Sequence, residues 1–211
     1  MKFSKMLEQA WAKPGDYDFG TSVWNINGNY PSIEGANIVN QREHKGEIYY
    51  LEKRKSVFCI MVKRFDDYPT KKDPNGKKER FYVVGTMKTE QTDSYKRIGY
   101  TNTLVVKGVQ VLNEFRRNGV GKLFYSMIVK AGFTLVGDSE QYENARNLWV
   151  SLSNNPGFIV DIVDLCSRKI EYKNVELTKD DKRIWGDENS DDPIELKIGR
   201  LRRLILTNVK I

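Results

Sequence analysis

The strongest constraint on the fold is a change of hydrophobic period in the middle of the chain. Residues 101–112, TNTLVVKGVQVL, are rich in β-branched side chains and are typical of a strand. Residues 120–131 instead repeat apolar side chains at i, i+3, i+4, i+7 and i+8, which predicts one apolar helix face that ends at Gly132. A short apolar run, FTLV at 133–136, is typical of a buried strand. Because a strand, a helix and a strand in succession need a crossover, this part predicts a parallel strand pair and an α/β fold.

The flanking segments extend the same sheet in both directions. Upstream, EIYYLEK, VFCIMVKRF and RFYVVGTMK are strand-like, and the DPNG turn predicts a hairpin between the last two. Downstream, a second apolar helix face carries Ala145, Leu148, Trp149 and Leu152, and GFIVDIVDL and LRRLILTNV are typical of further strands. Together they predict one α/β domain over residues 1–211, with a mixed, mostly antiparallel sheet and helices on both faces.

The N-terminal region has two parts of different character. An early helix is predicted by the helical spacing of Phe3, Met6, Leu7, Ala10 and Trp11. Residues 15–45 are rich in Gly, Asn, Pro and Ser, which predicts an irregular covering loop. His44, the chain's one histidine, lies in the charged stretch QREHKGE, where an exposed surface role is favoured over a role as a base.

Composition indicates a cytoplasmic protein with no membrane partner. No segment of the 211 residues reaches the ~18 consecutive apolar residues that a membrane span needs, and the N-terminus does not resemble a signal peptide. The two cysteines, Cys59 and Cys166, lie in apolar runs without metal-ligand spacing, which predicts two buried thiols and no metal site.

The formal net charge of +7 is consistent with a phosphate-bearing partner, either a nucleic acid or a phosphorylated cofactor, although solvated loop tips are the alternative interpretation of the basic clusters. The basic residues are scattered among acidic ones, and no aromatic–basic alternation marks a nucleic-acid-binding strand. A nucleic-acid partner is therefore allowed by the charge but not indicated by its distribution.

The turn NEFRRNGVGK, residues 113–122, lies between the predicted strand and the predicted helix. Its glycines remove Cβ atoms, so a ligand can approach the backbone, and the first helix amides have no internal acceptor. A helix N-terminus of this kind favours an anion, phosphate above all. Neither a Walker loop nor a dinucleotide fingerprint fits, because Leu123 follows Gly121-Lys122 and Phe124 occupies the place of the third glycine.

The stretch instead matches the pattern Arg-x-x-Gly-x-Gly, read as Arg116, Gly119 and Gly121. Around it the chain has an apolar strand, Glu114-Phe115, the loop, a helix, a short strand and the second helix ENARNLWVSL. In this order, over residues 104–165, the sequence resembles the GNAT family of N-acetyltransferases. The run TLVGDSEQYENARNLWVSL resembles the phage-type acetyltransferase-like branch of that family.

The resemblance implies that acetyl-CoA is bound as the acyl donor. In the family such a loop cradles the pyrophosphate, and a splayed strand edge, here Val111-Leu112, pairs with the pantetheine arm. The backbone amide that follows Val111 would then help to polarise the thioester carbonyl. The implied binding residues are Val111, Leu112, Arg116, Arg117, Asn118, Gly119, Val120, Gly121 and Lys122.

At the positions where the family carries its general acid and general base, this chain has different residues. The positions that usually hold an Asn and a proton-donating Tyr hold Tyr142 and Trp149, and an indole cannot act as a general acid near neutral pH. The strand before the loop contains no carboxylate to serve as a base. Asp138 and Tyr142 are the remaining catalytic candidates, although helix capping explains Asp138 and core packing explains Tyr142 equally well.

The sequence thus predicts an N-acyltransferase in which a primary amine attacks the thioester directly. A small molecule and a protein amine both fit as the acceptor. A nucleic-acid-binding or nucleic-acid-modifying protein on the same fold, and a degenerate relative that binds CoA without turnover, are the alternatives.

Overall fold

The computed structural model describes residues 36–67, 76–116, 118–137, 143–185 and 202–209. The predicted N-terminal helix and the first three residues of the DPNG turn, residues 73–75, lie outside these ranges. The strands are β1 Ile38–His44, β2 Glu47–Arg54, β3 Val57–Asp67, β4 Lys77–Thr92, β5 Thr103–Val111, β6 Thr134–Val136, β7 Phe158–Asp164, β8 Lys169–Tyr172 and β9 Arg202–Asn208. The helices are α1 Asn113–Arg116, α2 Val120–Lys130, α3 Glu143–Ser153 and α4 Lys182–Trp185, with a 3₁₀ turn at Lys96–Ile98.

The described strands form one nine-stranded sheet in the order β1-β2-β3-β4-β5-β6-β9-β7-β8. The first five strands are a meander in which each strand is antiparallel to the next, as turn-separated strands allow. The predicted pairing of VFCIMVKRF with RFYVVGTMK is confirmed as β3 against β4. The sheet is mixed and mostly antiparallel, as the sequence predicted.

The predicted crossover is confirmed between β5 and β6. These strands are parallel, and α2 connects the end of β5 to the start of β6. A second crossover runs through α3 to β7, which is parallel to β6 because β9 pairs antiparallel with both of them. A parallel connection needs a long return path, and the apolar helix faces supply that path while covering the sheet.

Helix α2 begins and ends at glycines in the left-handed region. Gly119, with φ 80°, precedes its first residue, and Gly132, with φ 92°, follows its end. L residues with a side chain adopt this region at a cost, so glycine suits both positions. The helix end predicted at Gly132 is confirmed.

The main core lies on one face of the sheet. It contains the apolar face of α2, with Phe124, Met127 and Ile128, and also Trp149 and Leu152 of α3. Since both helices share one cluster with alternate residues of the strands, both pack on the same face. The prediction of helices on both faces of the sheet is therefore not shown by the described residues.

Two smaller apolar clusters lie on the opposite face. One consists of Tyr50, Cys59, Met61, Phe81 and Val83 on strands β2–β4. Burial raises the pKa of the Cys59 thiol to about 12, so this sulfur stays protonated and unreactive at neutral pH.

The prediction of two buried thiols is correct for Cys59 and wrong for Cys166, which is exposed. Cys166 lies in the turn between β7 and β8, so the apolar run that precedes it ends before its side chain. The other small cluster of this face contains Tyr95, Tyr100, Val136, Val163 and Ile205.

Two strands differ from the sequence predictions. Residues 38–44 form β1 rather than part of an irregular loop, because their backbone pairs with β2 across the tight turn at Lys45-Gly46. Polar side chains on this edge strand conceal the apolar alternation from which strands are recognised. β8 is a short, exposed strand paired with β7, and it has no apolar pattern that would predict it.

Within the described ranges, no helix is long and apolar enough to cross a membrane.

A Gly85→Ala substitution should destabilise the fold. An added Cβ would lie 2.9 Å from the Gln110 carbonyl oxygen, which belongs to the backbone of the neighbouring strand and cannot rotate away. We expect a loss of about 1–3 kcal/mol in the free energy of unfolding, measured by urea denaturation. Gly121→Ala is the control, because a Cβ there meets no atom within 4 Å. Equal denaturation midpoints for the two variants would contradict the close approach of β4 and β5.

Candidate functional site

The predicted glycine loop lies at the carboxyl end of β5, between α1 and α2. The first bond of α2 runs from the Leu123 amide to the Gly119 carbonyl, at 3.0 Å. The amides of Val120, Gly121 and Lys122 therefore have no acceptor within the helix, and they carry the positive end of its dipole. The Val120 side chain is buried in the core, so this residue offers only its backbone to a ligand.

The space over the loop is open to a ligand. Asn118 and Gly119 are exposed, and Gly121 and Lys122 are half-buried. No atom lies within 4 Å of the position that a Gly121 Cβ would occupy. The loop can thus admit an anion close to its backbone, which is the property that the sequence predicted for it.

The strand before the loop has a free edge. β5 pairs with β6 only at residues 103–105, whereas it pairs with β4 along its whole length. Residues 106–111 consequently have no strand partner on the β6 side within the described residues. This leaves a gap that opens toward the glycine loop, and it corresponds to the splayed edge that the resemblance implied.

The backbone groups that face this gap belong to Val111 rather than to Leu112. The Leu112 amide donates to the Val84 carbonyl at 2.9 Å and so points toward β4. Successive residues of a strand point their N–H and C=O groups to opposite sides, so those of Val111 point into the gap. The expectation that the Leu112 amide would polarise a thioester carbonyl is therefore wrong, because that amide is already bonded within the sheet.

Arg116 folds back onto the end of β5. Its Nε donates to the Val111 carbonyl at 2.8 Å, while the side chain as a whole remains exposed. A guanidinium has five N–H donors, so four remain to bind an anion. The Val111 carbonyl is thus already hydrogen-bonded, and Arg116 places a positive charge beside the gap.

Strand β1 holds α2 in place at two points. His44 Nε2 lies 2.8 Å from the Asn118 carbonyl oxygen, and Asn40 Nδ2 donates to the Met127 carbonyl at 2.7 Å. Because a carbonyl only accepts, His44 Nε2 must carry a proton in this contact. The His44 ring also lies 3.6 Å from the position that a Gly119 Cβ would occupy. His44 is therefore half-buried against the loop, and its predicted exposed surface role is corrected.

Three polar side chains of β2 and β3 form a cluster that contacts α1, the helix that leads into the glycine loop. Arg64 donates to Glu47 through Nε and Nη2, at 3.0 and 2.8 Å, and the Tyr49 hydroxyl donates to the same carboxylate at 2.8 Å. The Arg64 guanidinium lies 5.3 Å from the ring centre of buried Phe115 in α1. Burial, together with the Glu47 carboxylate, raises the pKa of Tyr49, so its hydroxyl remains a donor. The Glu47 charge is thus neutralised locally and does not repel an anion at the loop.

Sequence reasoning missed the contribution of β1 to this site. The His44 and Asn40 contacts join residues 74 and 87 positions apart. No local spacing in the sequence indicates partners at such a separation. Only the pairing of β1 with β2 brings these side chains to α2.

Trp149, which only the resemblance aligns with a proton-donor position, belongs to the core. Trp149 is buried, and its ring packs edge-on against Tyr125 of α2 with 6.0 Å between ring centres. Burial raises the pKa of Tyr125 above its ordinary value. The prediction of a packing role for Trp149 is confirmed.

Three of the predicted site residues lie outside the described ranges: Arg117, Asp138 and Tyr142. Their assignments stay predictions.

Comparisons of the chain with protein-family models, with curated proteins and with solved structures gave no match. The assignment of a function to this site therefore depends on its geometry and chemistry.

A His44→Ala substitution should loosen the start of α2. It removes the side-chain hydrogen bond from His44 to the Asn118 carbonyl, and we expect a loss of about 1 kcal/mol in the free energy of unfolding. Amide hydrogen exchange at Leu123 should become faster, because its bond to Gly119 closes the first turn. His44→Gln is the matched control, since its amide nitrogen can still donate. Unchanged exchange in His44→Ala would show that β1 does not hold the loop.

Proposed function

We propose that this chain is an acyl-CoA-dependent N-acyltransferase with a single GNAT-like domain, transferring acetyl from acetyl-CoA to a primary amine. The observation that carries the proposal is the coincidence of two features at one end of β5. These are the edge of residues 106–111, which pairs with no strand on the β6 side within the described residues, and the glycine loop, whose first helix amides have no acceptor within α2. Either feature alone is common in α/β proteins, but together they offer an extended binding edge that ends at an anion site.

The described residues fit the chemistry of acetyl-CoA, which enters as a substrate. The amides of Val120, Gly121 and Lys122 would donate to the pyrophosphate, as helix N-termini do. The Lys122 ammonium and the free N–H groups of Arg116 would add positive charge. Because the Val111 carbonyl already accepts a hydrogen bond from Arg116, we assign the contact with the pantetheine arm to the Val111 amide.

The reaction needs positioning more than dedicated catalytic side chains. The neutral amine nitrogen attacks the thioester carbonyl carbon, a C–N bond forms, the C–S bond breaks, and the sulfur leaves as the CoA thiol after gaining a proton. Holding the two reactants in contact within a desolvated gap supplies much of the rate increase. Asp138 and Tyr142 remain candidates for handling the proton.

A Gly121→Val substitution should weaken CoA binding without harming the fold. Its side chain enters space that is open in the protein but needed by the pyrophosphate. We expect CoA affinity, measured by calorimetry, to fall by about tenfold or more through the loss of a charge-assisted hydrogen bond. Gly119→Val is less informative, because its φ of 80° makes any side chain destabilising. Unchanged CoA affinity in a folded Gly121→Val protein would show that the loop is structural only.

Removal of the Lys122 charge should weaken CoA binding by about threefold to fivefold at low salt, and by less at high salt. Lys130→Ala is the matched control, because it removes the same charge from the opposite, exposed end of α2. Calorimetric titration of both variants with CoA separates a local contact from an effect of net charge. Equal losses in Lys122→Ala and Lys130→Ala would contradict the assigned site.

A turnover assay distinguishes an active acyltransferase from a protein that binds CoA without transferring an acyl group. The assay measures thiol release from acetyl-CoA across a panel of amines, with intact-mass spectra of the products. CoA binding without acetyl transfer to any amine would favour a binding protein, and no CoA binding at millimolar concentration would overturn the proposal.

A further inference from the structure

A cavity of about 280 Å³ lies on the face of the sheet opposite α2 and α3, where two connections between strands contribute to its wall. The connection from β4 to β5 contributes Ser94, Tyr95 and Ile98. The turn from β7 to β8 contributes Leu165 and Arg168. None of these residues belongs to the glycine loop, so the cavity is a separate feature of the fold.

Most of the described residues that line the cavity are apolar. Val105 of β5 and Val163 of β7 line it together with Tyr95, Ile98 and Leu165. All five belong to the small apolar cluster of this face or pack against it. An apolar wall of this kind favours the apolar body of a ligand, because binding removes both surfaces from water.

Ser94 offers a hydrogen-bond donor at the rim of the cavity. The Ser94 amide donates to Thr92 Oγ1 at 3.2 Å, and the Thr92 hydroxyl donates in turn to Ser94 Oγ at 3.0 Å. The Ser94 oxygen is therefore the acceptor of this pair, and its own hydrogen has no acceptor among the described residues. Because Ser94 is exposed and lines the cavity, this hydrogen can be donated to a ligand.

Arg168 supplies a positive charge at the same cavity. It is exposed, and its guanidinium makes no hydrogen bond or ion pair with the part of the chain that the structure describes. A guanidinium presents its N–H groups in a planar fork that matches the two oxygens of a carboxylate. The polar groups at this rim are thus donors suited to an anionic head group.

A second positive charge lies on the same face of the sheet. Arg203 of β9 pairs with Val163 of β7, and directly opposed residues of antiparallel strands point to the same face. Burial raises the pKa of Tyr95, and the Arg203 charge acts on that hydroxyl in the opposite direction, so Arg203 lies within electrostatic reach of the cavity wall. Its field adds to that of Arg168 and favours an anion.

The Asp164 carboxylate does not face the cavity. Asp164 follows Val163 in β7 and pairs with Arg202, so the alternation of the strand turns its side chain to the opposite face. Its Oδ1 accepts from the Ser167 amide, at 2.6 Å, inside the turn. Asp164 is the only acidic residue among the described residues that line the cavity, so none of them places a negative charge inside it.

We propose that this cavity binds a small carboxylate with an apolar body, at a site that is independent of the proposed acyl transfer. The carboxylate would pair with Arg168 and accept a hydrogen bond from the Ser94 hydroxyl. The apolar body would pack against Tyr95, Ile98 and Val163. Pockets for drug-sized ligands have volumes of about 300–1,000 Å³, so a cavity of about 280 Å³ suits a short fatty acid or a single-ring acid rather than a nucleotide.

Calorimetry with the full-length protein tests the chemistry of the ligand. Three probes share an apolar ring and differ in the head group: 3-phenylpropionate, 3-phenylpropan-1-ol and 3-phenylpropylamine. Acetate carries the head group without the body. We expect 3-phenylpropionate to bind at least about fivefold more tightly than any other probe. Equal binding of the three ring compounds, tighter binding of the amine, or no binding of 3-phenylpropionate at millimolar concentration would overturn the proposal.

Backbone amide chemical shifts locate the bound probe. The glycine loop also offers donors to an anion, so a carboxylate could bind there instead. We expect 3-phenylpropionate to shift the amide resonances of residues 92–98 and 163–168 and to leave those of residues 119–123 unchanged. Shifts confined to residues 119–123 would place the carboxylate at the glycine loop, and the proposed site would be wrong.

A charge variant at an exposed position tests the head group without endangering the fold. Arg168→Gln keeps most of the length of the side chain and removes its charge, so it should weaken binding of 3-phenylpropionate by about fivefold and leave binding of the alcohol unchanged. Lys173→Gln is the matched control, because it removes a positive charge from an exposed position outside the cavity. Equal losses in the two variants would contradict a contact with Arg168.

Val105→Phe tests the body of the ligand while both donors stay in place. The larger side chain should fill the cavity and abolish binding of all three ring compounds, while CoA affinity stays the same. Unchanged binding of 3-phenylpropionate in a folded Val105→Phe protein would overturn the proposed site. The two proposals also fail separately: absence of CoA binding would overturn the acyltransferase alone, and absence of 3-phenylpropionate binding would overturn the carboxylate site alone.

Discussion

The short parallel contact between β5 and β6 determines the arrangement of everything around the candidate site. The two strands pair at residues 103–105 and then separate, while β5 remains bonded to β4 on its other side. A parallel pair needs a crossover, and α2 supplies it by starting beyond the end of β5 and returning to the start of β6. The glycine loop must therefore lie beside the free edge of β5. One topological requirement thus places the glycine loop and the free part of the β5 edge next to each other.

The loop is held in this position by strands that precede it by many residues. β1 bonds to the start of the loop through His44 and to the last turns of α2 through Asn40. Arg64 pairs with the Glu47 carboxylate and neutralises its charge, and the Tyr49 hydroxyl donates a hydrogen bond to the same carboxylate. Each of these contacts contributes only about 1 kcal/mol, but together they fix the direction of the first amides of α2. A preorganised set of donors binds an anion without the cost of ordering a mobile loop.

The sequence by itself determined the crossover, α2 with its glycine boundaries, the hairpin of β3 with β4 and the open glycine loop. These features depend on local period and on the backbone freedom of glycine, which neighbouring residues express directly. Only the tertiary structure decided that residues 38–44 form an edge strand, that His44 bonds to the loop, and that the Leu112 amide is committed to β4 while Val111 faces the gap. The physical reason is that these outcomes depend on strand register and on contacts between distant residues, which no local pattern in the chain encodes.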